Sequence, residues 1–164
     1  MADHRIYHVL FLSQRNSARS ILAEAVLNKI GGGRFKGHSA GVAPVEAVDP
    51  HVDEILSKLD MPAHNGRPKH YAEFTRPESP PLDFVFTLSD TAHGEALPQW
   101  PGRPVTAHWS SADPVRVEGE EWEKVQAFGH SMSELERRLG IFINLPFDTL
   151  DEMSLKEEIA AAAR

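Results

Sequence analysis

The run Val9-Leu10-Phe11-Leu12 stops abruptly at the polar stretch Ser13-Gln14-Arg15-Asn16-Ser17-Ala18-Arg19-Ser20. A continuous apolar run of that length predicts a strand buried on both faces, as in a parallel sheet. Beyond the polar stretch, Leu22, Val26 and Ile30 recur at every fourth position, the spacing of one helix face. Gly31-Gly32-Gly33 ends that helix. Phe35 to Ala40 reads as a weaker strand closed by Gly41. Asp49-Pro50 reads as an N-cap with proline at the first helical position, and Val52, Ile55, Leu56 and Leu59 form the buried side of the helix after it.

Met61 to Pro81 is rich in Pro, Gly and charge and reads as a loop or lid, with a short helical piece near Tyr71 to Phe74. Phe84-Val85-Phe86-Thr87-Leu88 is the clearest strand, and Pro104 to Trp109 is the fourth. From Glu120 to Asn144, spacings of three and four connect Val125, Phe128, Met132, Leu135, Leu139 and Phe142. That pattern predicts one long helix packed on the sheet. Strands alternating with helices imply an α/β fold, a parallel sheet with helices on both faces. No internal repeat or long linker divides the chain, so residues 1–164 are expected to form one domain.

The 164 residues suffice for a proper core. The net charge of −7, without a basic stripe, argues against a nucleic-acid partner, and any anion must be held by local geometry instead. There is no cysteine, which excludes a disulfide scaffold, a thiolate zinc site and a thiol nucleophile together. The N-terminus lacks a signal core, and Val9 to Leu12 is too short to cross a bilayer, so the expectation is a cytoplasmic protein with no membrane partner. His4 and His8 lack a carboxylate ligand pattern, and His108 reads as structural, hydrogen-bonded near Asp113; neither a metal nor a cofactor is expected. Glu118, Glu120, Glu121 and Glu123 suit the solvated start of the long helix. Tyr71 and Phe74 serve equally as contacts for a substrate ring or as packing beneath the lid.

The polar stretch lies at the carboxyl end of a predicted parallel strand, directly before a helix, where open α/β sheets bind ligands. Unpaired N–H groups and the helix dipole favour an anion there, and Arg19 adds a planar fork matched to a tetrahedral oxyanion. Ser17 and Ser20 can orient such a loop. The residues alone equally allow a plain strand-to-helix connection with Ser20 as N-cap. They match neither a Walker loop nor Gly-x-Gly-x-x-Gly.

Val9 to Glu24, VLFLSQRNSARSILAE, resembles the signature loop of the thioredoxin-coupled arsenate reductases and low-molecular-weight tyrosine phosphatases, Cys-x5-Arg-Ser after an apolar strand. Arg19-Ser20 match its Arg-Ser, and Asn16-Ser17 match the Asn-Ser of the reductase branch. His38 to Gly41, Phe84 to Asp90, Thr106 to Pro114 and the tail Phe147 to Lys156 resemble further family segments. The resemblance thus covers nearly the whole chain. It implies a four-stranded parallel sheet of flavodoxin-like order, an oxyanion held by Ser13, Gln14, Arg15, Asn16, Ser17, Ala18, Arg19 and Ser20, and a general acid at Asp113.

The departures from the family are chemical. The nucleophilic cysteine is replaced by Ser13, and the two relay cysteines align with Ser89 and Leu97. An alcohol stays protonated where a thiol would ionise, so Ser13 needs an adjacent base, and no histidine lies in the loop. Arsenate reduction needs a sulfur couple. Arg15 is either a solvent-exposed side chain or a second cation at the mouth. The implied protein is a phosphatase-like pseudoenzyme that binds phosphate, arsenate, a similar oxyanion or a phosphorylated protein without redox turnover. The alternative is an enzyme, a phosphatase of this family with a weak Ser13, or a phosphatase or arsenate-reductase-family enzyme whose nucleophilic cysteine was replaced by Ser13; a third reading is an interaction protein with a vestigial loop.

Overall fold

Tyr7–Ser13 forms β1, and the apolar side chains that predicted it point alternately to two cores. The computed structural model describes residues 5–62, 67–94 and 97–163. β1 pairs in parallel with β2 (Phe35–Gly41) on one side and β3 (Phe84–Thr87) on the other, and β4 (Val105–His108) lies outside β3. The order β2-β1-β3-β4 is the flavodoxin-like order implied by the resemblance. The chain leaves β1 toward β2 on one side and later returns to β3 on the other, so the end of β1 lies at the switch point of the sheet.

Val9, Phe11, Phe84 and Phe86 face the thicker layer, which contains α1 (Arg19–Ile30), α2 (Pro50–Lys58), α4 (Glu121–Phe142) and α5 (Glu152–Ala162). The stripe on α4 packs in the core from Phe128 to Phe142, as its spacing predicted, while Val125 stays half-buried outside that cluster. Phe142 meets Phe84, Phe86 and Trp109 edge-on, with ring centroids 4.9, 5.2 and 6.3 Å away. Each such buried ring contributes about 1.5–3 kcal/mol relative to exposure. Leu10, Leu12 and Val85 face the thinner layer, made of α3 (Asp90–Gly94), a 3-10 turn at Tyr71–Phe74, and Leu97 and Trp100. Tyr71 packs against Trp100 and Phe74 against His38, so both side chains serve packing here. Residues 63–66 of the expected lid, and His4, lie outside the described residues.

Two helices escaped the sequence pattern. α3 is a single turn capped by Ser89 Oγ, which accepts from Ala92 N. α5 lies in the tail, where Trp109 Nε1 donates to Ile159 O at 2.9 Å and ties the helix to the end of β4. At the start of α4, Glu120 and Glu123 form a capping box, the local reason for the acidic cluster. No helix among the described residues is long and apolar enough to cross a membrane.

Candidate functional site

β1 ends at Ser13 and α1 begins at Arg19, so the polar stretch is a tight loop between them. Ser20 is not the N-cap. Ala18 occupies that position without a side-chain cap, and Ser20 lies inside the first turn. Asn16 is held at φ 52°, a left-handed conformation that asparagine tolerates better than most residues.

The loop's carbonyl groups face outward. Ser13, Gln14, Arg15 and Ser17 O accept from Val42, Ala43, Val45 and Asp49 N respectively. Gly41 allows this close approach, since a Cβ there would lie 3.0 Å from Asn16 N and Gln14 O. With the carbonyls bound on the outside, the N–H groups of Gln14, Arg15, Ser17, Ala18, Arg19 and Ser20 have no acceptor among the described hydrogen bonds. Unpaired amides before a helix N-terminus form an anion-attracting geometry.

A buried chain of hydrogen bonds runs through the loop. Lys69 N must donate to Asn16 Oδ1, at 2.9 Å, which settles the orientation of the Asn16 amide. Asn16 Nδ2 therefore donates to Ser20 Oγ at 2.8 Å. Ser20 Oγ, itself fully buried, shares a 2.8 Å hydrogen bond with Ser13 Oγ, its only acceptor among the described residues, and on that ground we read Ser20 as the donor. Ser13 Oγ also accepts from Asn16 N at 3.2 Å. With both lone pairs of Ser13 engaged, its own proton is free to point into the loop.

Arg19 is buried at 8% exposure, and its Nη1 donates to Ser111 O at 2.8 Å. Its Nη2 lies 3.5 Å from Asp113 Oδ2. Burial pulls the Arg19 guanidinium below its ordinary value, and Asp113 opposes that shift. Asp113 also caps a 3-10 turn at Pro114–Arg116 by accepting from Val115 N, and it pairs with Arg116 Nε at 3.6 Å. The described partners of Ser13 Oγ include no carboxylate and no imidazole. His108, expected near Asp113, instead bonds Asp90 Oδ1 at 3.0 Å and Thr87 Oγ1 at 2.8 Å, because its ring projects from β4 toward α3.

Ser89 and Leu97, the positions of the relay cysteines, are a helix cap and part of the thinner core. Arg116 was missed in the sequence; its Nη2 reaches Gln14 Oε1 at 3.2 Å, and the Asp113-x-x-Arg116 spacing was the available signal. Glu24 was also missed. It lies on α1 with its carboxyl raised by burial, and it accepts from Ser39 Oγ of β2 at 3.3 Å. Among the described residues, His51, Glu54 and Glu121 present ligand atoms within 4.8 Å of one another. Those side chains are engaged with one another and with their neighbours: Glu121 bonds His51, and Glu54 pairs with Lys58.

A family model described as low molecular weight phosphotyrosine protein phosphatase matches residues 8–156. An arsenate reductase from Oceanobacillus iheyensis is 27% identical over 134 residues, covering 82% of this chain and 93% of that protein. The crystal structure of arsenate reductase from Archaeoglobus fulgidus superposes with a TM-score of 0.62 at 25% identity, over 80% of this chain and 98% of that one. A low molecular weight protein tyrosine phosphatase from T. tengcongensis shares the fold, with a TM-score of 0.61 at 20% identity, over 79% and 92% of the two chains.

Proposed function

The chain belongs to the low molecular weight phosphotyrosine protein phosphatase family, and from that premise we propose that it binds a tetrahedral oxyanion in the Ser13–Ser20 loop without turning it over. The occupant is phosphate, arsenate or the phosphate group of a phosphorylated protein, met in the cytoplasm. The observation that carries this reading is the hydrogen-bond chain Asn16–Ser20–Ser13, read with Ser20 as the donor to Ser13. A thiolate at this position would attack the bound group and repel its charge. A hydroxyl that accepts from Ser20 and Asn16 instead directs its proton at the anion, as one more donor beside the free amides and Arg19.

Two absences argue against turnover. Ser13 has no base among its described partners, so it stays a neutral alcohol. Arsenate reduction needs two electrons from sulfur, and the chain holds no cysteine. The retained placement of Asp113 beside Arg19 supports a second reading, a phosphatase whose nucleophilic cysteine was replaced by Ser13.

Titration calorimetry with phosphate, arsenate and sulfate tests the proposal, alongside assays of hydrolysis and arsenite production. Saturable phosphate and arsenate binding at one site, with neither activity, is the expected result. No binding would leave a vestigial loop, and enzyme-dependent turnover by a pure sample would restore an enzyme.

A further inference from the structure

Three arginines gather around the loop of a chain whose net charge is −7. Two are engaged. Arg19 is held by Ser111 O and Asp113, and Arg116 by Gln14 Oε1 and Asp113. Arg15 is half-buried, lies close enough to Arg19 to act on its charge, and its side chain has no hydrogen bond or ion pair with any described residue. Its backbone is fixed, because Arg15 O accepts from Val45 N.

We propose that the occupant of the loop carries a second anionic group beside its tetrahedral head, and that the Arg15 guanidinium reads it. This rests on the oxyanion-binding reading above. A half-buried guanidinium with no acceptor among the described residues keeps its donor fork open to a ligand anion. The planar fork suits a second phosphate or a carboxylate, so the ligand class is a compact phosphate compound with an adjacent anionic group. The net charge of the protein disfavours anions, so attraction at this mouth must be local, from the free loop amides and the arginines beside them. Arg116 is less free to supply it, since it shares Asp113 with Arg19 and donates to Gln14 Oε1.

The test compares methyl phosphate, which carries one head, with inorganic pyrophosphate, the smallest ligand that adds a second. Affinities are measured by calorimetry at fixed ionic strength for wild type, Arg15→Ala and Lys156→Ala. Lys156 is an exposed cation on α5, and its loss matches the change in net charge. Wild type should prefer pyrophosphate by roughly tenfold or more, the value of one charge-assisted contact. Arg15→Ala should lose most of that preference, weakening pyrophosphate far more than methyl phosphate, while Lys156→Ala keeps it. Residual methyl phosphate binding by Arg15→Ala shows that the loop is still folded. An unchanged ratio in Arg15→Ala, an equal loss in Lys156→Ala, or no preference in wild type overturns the proposal. Failure of both ligands to bind wild type would instead overturn the oxyanion reading beneath it.

Discussion

Asn16→Asp reverses the relay inside the loop while changing the shape of one side chain very little. Asn16 is fully buried at φ 52°, and aspartate tolerates that conformation about as well. Lys69 N keeps an acceptor. Ser20 loses its incoming donor and turns its own proton to the new carboxylate. Ser13 then donates to Ser20 instead of to the anion. The loss of one charge-assisted hydrogen bond costs about 1.5–3 kcal/mol, roughly 10- to 150-fold in affinity, and the buried negative charge adds repulsion. Phosphate titration at pH 8, with a thermal melt to verify the fold, measures the effect. Burial raises a carboxyl pKa, and the introduced carboxyl, once protonated, donates as the amide did, so binding should recover as the pH falls. A cooperatively melting Asn16→Asp protein that binds phosphate within about threefold of wild type at pH 8 would refute the relay.

Arg19→Ala should lower oxyanion affinity by more than tenfold, and Arg19→Lys should also weaken it, because a point charge cannot reproduce the fork; calorimetry measures both. Ser13→Cys should gain hydrolysis of para-nitrophenyl phosphate, since the loop amides and Arg19 favour a thiolate and Asp113 remains beside Arg19. It should gain no thioredoxin-coupled arsenate reduction, because Ser89 and Leu97 provide no sulfur relay. His38 is lowered to about 4, first by burial and then by the like charges of His8, Lys36 and Lys69. The fold therefore refuses a proton that the unfolded chain binds below its ordinary value near 6.5. This contribution is complete above that pH and should be lost as the pH falls, by about 3 kcal/mol near pH 4. Urea denaturation of wild type and His38→Asn at pH 7 and pH 4.5 should show the wild type losing more stability.

The strands were legible because β1 and β3 are buried on both faces and therefore read as unbroken apolar runs. The stripe of α4 was legible for a related reason, since a long amphipathic helix repeats its signal over several turns. α5 is short and buries Leu155, Ile159 and Ala162, and the Trp109–Ile159 hydrogen bond that ties it to the end of β4 is one that no local pattern announces. α3 is a single capped turn. At the loop, residue types pointed to anion chemistry, but the proton direction depends on Lys69 N, 53 positions away from Asn16. Arg116 and Ser111 reach the loop only through the fold.

In the proposed function, the loop amides, the Ser13 hydroxyl and Arg19 together receive an oxyanion. Titration of nitrogen-15-labelled protein with phosphate, followed by two-dimensional NMR, tests it most directly. Saturable shifts, with one dissociation constant, are expected at the backbone amides of Gln14 to Ser20 and at the Arg19 side chain, while α5 resonances stay in place. Saturable shifts clustered elsewhere, or none in the loop at saturating phosphate, would contradict it.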